Sequence, residues 1–125
     1  MVHYRTTITS VGPDVEELLE SGMLILFADG APPELAEVSV QHLVVDGPSD
    51  SAPLVGAEIR IGAVSARLTA IGDLAWKKVA DIGHVVVNFN GASTAHRPGE
   101  LSASEIDAAI LAAALRPGAE IIIVA

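Results

Sequence analysis

Short apolar segments separated by glycine and proline turns constrain the fold of this chain most strongly. Half of the 125 residues are hydrophobic, but only four are aromatic. The core must therefore be built from valine, isoleucine, leucine and alanine, and short runs rich in β-branched residues favour strands. The length matches one domain, so we expect a single domain spanning residues 1–125.

Several segments are predicted to be strands because apolar or alternating residues end at turn residues. The first segment alternates and ends at Gly12-Pro13, and Gly62 stands at a hairpin position between two others. Asn90-Gly91 is a strong turn dipeptide after a further segment. The predicted strands are 4–11, 23–27, 38–45, 58–61, 66–71, 84–89 and 121–124.

Three short helices are also predicted from cap and stop residues. The first has capping-box spacing, and the second places Ala75, Val79 and Ile82 on one side with Trp76 alongside. Two or three helices are too few for a repeating βαβ sheet. We therefore predict a mainly β fold, a small closed or nearly closed β-barrel of six or seven short strands. The predicted helix starts are Asp14, Asp73 and Ser104, and the stops are Gly22, Gly83 and Pro117-Gly118.

A weak internal similarity relates residues 56–61 to residues 118–123, with residues 98–101 as a partial third copy. Each copy is a glycine turn followed by an apolar segment. The separations are irregular, which is typical of a barrel or sheet and not of a solenoid.

The charge of the chain disfavours two classes of partner. Seven basic against sixteen acidic side chains give a net charge of −9. Nucleic acid and anionic membranes are therefore poor partners, whereas a protein with a basic docking face is a good one. The longest apolar stretch, 108–115, is far shorter than the roughly 20 residues that span a bilayer, and the start has no apolar signal region. We expect a cytoplasmic protein without direct membrane insertion.

The sequence lacks the motifs of the common cofactors. It has no cysteine, which removes disulfides, zinc–thiolate sites and thiol nucleophiles. It also has no phosphate-binding glycine loop, no dinucleotide fingerprint and no closely spaced histidine pair. We expect no cofactor and no metal.

His42 lies in the middle of predicted strand 38–45 and shares a face with Val38, Val40 and Val44. An imidazole in such surroundings is either neutral, buried and hydrogen-bonded, or partly exposed for chemistry. The residues alone leave both interpretations open. The polar loop 46–53 follows directly and could gate His42.

The other three histidines are weaker candidates for chemistry. His84 follows a predicted helix end, where the helix dipole favours a cationic ring. His3 and His96 are predicted to be solvated surface residues.

The order of these segments resembles one protein family, the glucitol/sorbitol-specific IIA component of the bacterial phosphoenolpyruvate-dependent sugar phosphotransferase system (PTS). No single motif is specific, but the ordered set covers nearly the whole chain. The matching segments are 4–9 with Gly12, 23–27, 30–32, 37–42, 54–56, 70–72, 82–85, 89–91, 98–99 and 117–118.

The resemblance implies a phosphocarrier with a small β-barrel fold. Members of the family take a phosphoryl group from the phosphohistidine of the general carrier HPr and pass it to a cysteine of the IIB part of the permease, which acts with IIC. The phosphorylated histidine of the family falls on His42. A Gly-His pair after the helix falls on His84, which becomes a candidate for stabilising the phosphoryl oxygens or orienting His42.

Carrier chemistry sets requirements on the histidine. One ring nitrogen must be a neutral nucleophile while the other is held by a hydrogen-bond acceptor, which fixes the tautomer. We also expect His42 to be exposed at the centre of an apolar docking patch, because donor and acceptor are both proteins. Transfer between phosphates of similar potential needs positioning and charge stabilisation, and no metal or nucleotide.

Two other functions stay open at this point. A regulatory or binding module could use the same barrel without chemistry. A metal-dependent hydrolase could use His42 and His84, and it would contain bound metal. A homodimer through the alanine-rich segment 104–115 also stays open.

Overall fold

The computed structural model describes residues 1–125 and shows a closed β-barrel of eight strands with four short helices. The prediction of a mainly β barrel is confirmed. In chain order the elements are β1 (Val2–Val11), α1 (Val15–Leu19), β2 (Met23–Ala28), α2 (Pro33–Ala36), β3 (Val40–Asp46), β4 (Glu58–Ile61), β5 (Val64–Ile71), α3 (Ala75–Ile82), β6 (Val85–Asn88), β7 (Glu100–Ala103), α4 (Ala108–Ala114) and β8 (Glu120–Val124).

The strands run around the barrel in the order β1-β3-β2-β6-β7-β5-β4-β8, and β8 returns to β1. The pairs β2–β3 and β6–β7 are parallel, and the other pairs are antiparallel. Because the sheet closes on itself, no strand is left as a free edge along its whole length. Inward side chains fill the barrel, and the core is aliphatic, as its composition predicts.

The predicted count of six or seven strands is too low, because the barrel has eight. The additional strand is β7, whose four residues are all buried although two of them, Glu100 and Ser102, are polar. Asn88 donates a hydrogen bond from Nδ2 to Glu100 Oε1 at 2.8 Å, which satisfies part of this buried carboxylate. A strand with one large apolar residue, Leu101, gives little local signal, and its pairing with β5 and β6 fixes its structure.

The helices also differ from the prediction in number and in their ends. α2 was not predicted; it begins at Pro33, a residue well suited to the first turn of a helix. Neither α1 nor α3 has a side-chain cap, so the cap roles predicted for Asp14 and Asp73 are wrong. α4 is capped by the Asp107 carboxylate and not by Ser104. None of the four helices combines the length and apolar character needed to cross a membrane.

One helix face also differs from the prediction. In α3, Ala75, Trp76 and Val79 are buried, but Ile82 is half exposed. The helix ends directly after Ile82, at Gly83, whose positive φ of 62° suits glycine. Ile82 is therefore the last residue of the helix, and its side chain does not lie over the core.

The barrel contains two halves with the same pairing pattern. The first half is β1, α1, β2 and β3, and the second half is β5, α3, β6 and β7. The strand orders are β1-β3-β2 and β5-β7-β6, each with an antiparallel pair followed by a parallel pair. Ile8 lies opposite His42 in the first half, as Leu68 lies opposite Ala103 in the second, and both ladders shift register just after these residues.

The turns after β1 and β5 match as well. A Cβ atom on Gly12 would collide with the backbone oxygen of Ala36, and one on Gly72 would collide with that of Pro98. Glycine is required at both places because another backbone segment passes too close for a side chain. The matching contacts place His42 of the first half where the second half has Ala103.

The weak similarity seen in the sequence concerns other elements. Residues 56–61 and 118–123 contain β4 and β8, which pair with each other antiparallel and lie outside both halves. Residues 98–101 lead into β7. Each copy does lead into a strand, as predicted.

Candidate functional site

His42 lies on β3 and points into the barrel. It is flanked by Ile8 on β1 and Ala28 on β2, and its side chain is only 1% exposed. The prediction that His42 is exposed at the centre of an apolar patch is therefore wrong. The physical reason is that strands pair with β3 on both sides at this level, so an inward side chain there is enclosed.

The residues predicted to share the face of His42 divide into two groups. Val40 is buried with it, as the alternation predicts. Val38 precedes β3, and Val44 is 40% exposed because β2 ends at Ala28 and no longer covers β3 there. The enclosed part of β3 therefore ends soon after His42.

Tyr4 is the hydrogen-bond partner of His42. Its hydroxyl oxygen Oη lies 2.8 Å from Nε2 of His42, and the two rings meet edge to face with centroids 5.6 Å apart. Tyr4 is also 1% exposed. The sequence analysis did not identify Tyr4 as a site residue. Alternation indicates only that Tyr4 and Ile8 share one face of β1, and it does not predict which residue of β3 the hydroxyl reaches.

Burial keeps both groups neutral at neutral pH. It lowers the pKa of His42 from 6.5 to about 4, against the smaller opposing effects of the Val40 backbone and the Asp29 carboxylate. It raises the pKa of Tyr4 to about 12. The second ring nitrogen of His42, Nδ1, is buried without a hydrogen-bond partner. The site therefore presents a neutral imidazole, a form that can act as a nucleophile.

A second group of side chains packs behind Tyr4. The ring of Trp76 lies edge-on to Tyr4 with centroids 6.1 Å apart, and Trp76 donates a hydrogen bond from Nε1 to the Ser49 carbonyl at 2.8 Å. His3 Nδ1 lies 2.7 Å from Ser49 Oγ. The loop predicted to lie beside His42 thus bonds His3 and Trp76, and Trp76 in turn contacts Tyr4.

The predictions for the two surface histidines have different outcomes. His3 is 6% exposed, so its prediction as a solvated residue is wrong. The cause is the loop after β3: Ser49 binds the His3 ring through Oγ and donates its N–H to the His3 carbonyl at 2.8 Å. His96 is exposed, as predicted.

His84 lies on the other side of the barrel wall from His42. Its Nδ1 is 3.0 Å from the Leu26 carbonyl, and its ring packs against Phe27 with centroids 5.1 Å apart. Leu26 points into the core, so the next residue, Phe27, points outward. No hydrogen bond or ring contact joins His84 to His42. This separation does not favour a hydrolase in which the two histidines bind one metal.

An exposed apolar strip follows His42 on the same strand. We call residues Leu43, Val44 and Val45 the β3 strip; they are 59%, 40% and 60% exposed. The strip ends at the carboxylate of Asp46, in a chain of net charge −9. Such a surface suits a partner that combines apolar contacts with basic residues.

The chain is similar to proteins of one family. The family model described as "PTS system glucitol/sorbitol-specific IIA component" matches residues 3–121. Proteins named "PTS system glucitol/sorbitol-specific EIIA component" from Shigella flexneri and Escherichia coli (strain K12) are each 35% identical over 98 residues, which is 78% of this chain and 78% of theirs.

A solved structure has the same fold. The crystal structure of a PTS system IIA component from Enterococcus faecalis V583 matches with a TM-score of 0.71, covering 97% of this chain and 99% of that one. The sequence identity is 18%, so this likeness supports the fold alone.

Proposed function

Because this chain belongs to the glucitol/sorbitol-specific IIA component family of the PTS, we propose that it carries a phosphoryl group on His42. Family membership supports the phosphocarrier role as such. The proposal adds that the donor is phospho-HPr and that the acceptor is a cysteine of a IIB component acting with a IIC permease. It also adds that residues 1–125 act as one IIA domain in the cytoplasm.

The burial of His42 against Tyr4 is the observation that carries the proposal, because burial keeps the ring in its neutral form. A lone pair of the neutral ring attacks phosphorus, a new P–N bond forms, and the P–N bond of the donor histidine breaks. The donor ring recovers its lone pair, so no oxidant and no metal take part. In the second half of the cycle a thiolate attacks the same phosphorus and His42 returns to its starting state. With its pKa lowered to about 4, the ring is ready for attack at neutral pH without losing a proton first.

Burial of His42 adds a requirement to this scheme. At 1% exposure the ring cannot meet a phosphohistidine of another protein without movement of the residues around it. The adjacent β3 strip is exposed, and the covering of β3 by β2 ends at Ala28. We therefore propose that the partner docks on the β3 strip and that docking opens the barrel wall next to His42.

His84 is proposed as a second contributor. Because it lies on the outer side of β2, it acts on the phosphoryl group or on the docked partner and not on the resting His42 ring. Its Nδ1–H donates to the Leu26 carbonyl, so Nε2 can donate to phosphoryl oxygens only in the cationic ring, which carries a proton on both nitrogens. The variant His84→Gln is expected to slow transfer without abolishing it, as measured by the initial rate of phosphorylation. An unchanged rate would remove His84 from the mechanism.

The test of the proposal is the intact mass of the protein after incubation with phosphoenolpyruvate, the general PTS enzyme and HPr. The wild type is expected to gain one acid-labile phosphoryl group, and His42→Ala is expected to gain none. His96→Ala is the matched control because His96 is an exposed histidine to which no role is assigned. Circular dichroism of His42→Ala distinguishes loss of chemistry from loss of fold.

The contrary result is equally informative. If the wild type gains no phosphoryl group from a competent HPr, the carrier role is wrong. The regulatory module with the same barrel then becomes the better explanation. Binding of unphosphorylated HPr, measured by calorimetry, would show whether the docking surface is retained.

A further inference from the structure

We infer that Tyr4 is the positioning residue of the candidate site: its hydroxyl holds Nε2 of His42, so that one ring nitrogen alone enters phosphoryl transfer. The inference rests on the proposed role of His42. It assigns to Tyr4 no contact with the transferred group. Tyr4 acts through the orientation of the ring that does the chemistry.

The hydrogen bond to Tyr4 is the only side-chain hydrogen bond to the His42 ring. The Oη to Nε2 distance is 2.8 Å, whereas Nδ1 has no hydrogen-bond partner. Both side chains are 1% exposed, so water does not compete for the bond. If the hydroxyl is removed, no side chain bonds either nitrogen, and packing does not distinguish the two nearly isosteric orientations of an imidazole.

The bond also distinguishes the two ring nitrogens. A neutral imidazole has one N–H and one lone pair, and the Tyr4 hydroxyl can either donate to Nε2 or accept from it; attack through Nδ1 requires the arrangement in which Nε2–H donates to Oη and Nδ1 keeps the lone pair. A single partner on Nε2 therefore makes the two nitrogens chemically different throughout the population. The phosphoryl group is then transferred to one defined nitrogen. Transfer between two proteins requires such a fixed geometry.

Tyr4 is itself held in place from behind. Trp76 contacts the Tyr4 ring edge-on, and the indole Nε1 is tied to the Ser49 carbonyl. The hydroxyl is therefore presented by a packed and hydrogen-bonded group and not by a mobile side chain. During transfer Tyr4 neither gains nor loses a proton, because the P–N bond made on His42 replaces the P–N bond broken on the donor.

The decisive variant is Tyr4→Phe, which removes one oxygen and keeps the ring. After phosphorylation, phosphorus NMR of the denatured protein separates 1-phosphohistidine from 3-phosphohistidine. We expect one isomer in the wild type, both isomers in Tyr4→Phe, and an initial rate lower by roughly 10-fold. Thr6→Val is the matched control, because it removes a buried hydroxyl of the same strand that bonds the Ile121 carbonyl and not His42, and we expect it to give one isomer.

A second readout does not depend on phosphorylation. Nitrogen-15 NMR of the resting protein reports the tautomer of His42, which we expect to be single in the wild type and mixed in Tyr4→Phe. An isomer mixture in the wild type, or the same single isomer and tautomer in Tyr4→Phe, would overturn the inference. If His42 proves not to be phosphorylated at all, the proposed function fails, and the tautomer measurement still decides the role of Tyr4.

Discussion

The two halves of the barrel place different side chains on the same backbone pattern. In the first half, Ala28 of β2 lies beside His42 of β3. The matching positions of the second half are Phe89 and Ala103, which directly follow the paired residues Asn88 and Ser102. The backbone of Phe89 lies beside Gly22 as that of Ala28 lies beside Gly83. Each half thus has one ring and one alanine, but the ring is apolar in the second half and an imidazole in the first. The comparison shows that the two halves differ in which side chain occupies an inward position, because their strands pair in the same way there.

Truncating the ring of each half gives the largest expected difference. Phe89→Ala should lower the free energy of unfolding by about 4 kcal/mol, because it leaves a cavity in an apolar site. His42→Ala should lower it by about 2 kcal/mol, chiefly because the buried Tyr4 hydroxyl loses its partner. Urea denaturation at pH 7 measures both losses. Equal losses would mean that the two rings stabilise their halves in the same way and would break the comparison.

The pH dependence of stability should come from the first half. The folded pKa of His42, about 4, is below its ordinary value of 6.5, so the unfolded chain binds the proton first as the pH falls. Stability is therefore greatest above pH 6.5 and decreases between pH 6.5 and pH 4, by about 3 kcal/mol over that window.

Comparison with His42→Gln isolates this effect, because the carboxylates contribute equally to both proteins. Urea denaturation at pH 7, 6 and 5 should show a steeper decrease for the wild type than for the variant. Parallel curves would show that the ring is not held neutral. The second half supplies no matching titration, because Ala103 stands in the place of His42.

Substitution of the turn glycines should lower the free energy of unfolding by a smaller amount, and by the same amount in both halves. Gly12→Ala and Gly72→Ala each force a Cβ against a backbone oxygen and should each lower the free energy of unfolding by about 2 kcal/mol. Gly99→Ala is the control, because its Cβ would meet only the flexible end of Lys78, and we expect a loss below about 0.5 kcal/mol. Thermal denaturation of the three variants tests this. A clearly unequal pair would show that the match between the halves does not extend to their turns.

The fold class could be predicted because it follows from local sequence patterns. Short β-branched segments and glycine turns predict strands, and many short strands favour closure into a barrel. β7 could not be predicted in the same way. Its buried Glu100 accepts a hydrogen bond from Asn88 on β6, and the position of this partner depends on the complete fold.

The candidate site shows the same division. His42 could be selected from the sequence because a histidine in an apolar strand is unusual, and its inward neighbour Val40 could be predicted from alternation. Its burial and its bond to Tyr4 could not, because both depend on the register of β1 against β3, which contains two shifts. A short repeated pattern in the sequence does mark the two halves, because both segments end in an apolar residue and glycine: Thr9-Ser10-Val11-Gly12 and Thr69-Ala70-Ile71-Gly72.

Residues 1 and 125 lie side by side in the closed barrel. Ala125 donates its N–H to the Met1 carbonyl at 2.9 Å, and Val2 is paired with Val124. A circular permutant with a short linker from residue 125 to residue 1, and new ends between residues 51 and 52, would therefore retain every strand pair while being synthesised with the second half first. The order in which the strands are synthesised can therefore be changed without changing their arrangement in the folded barrel.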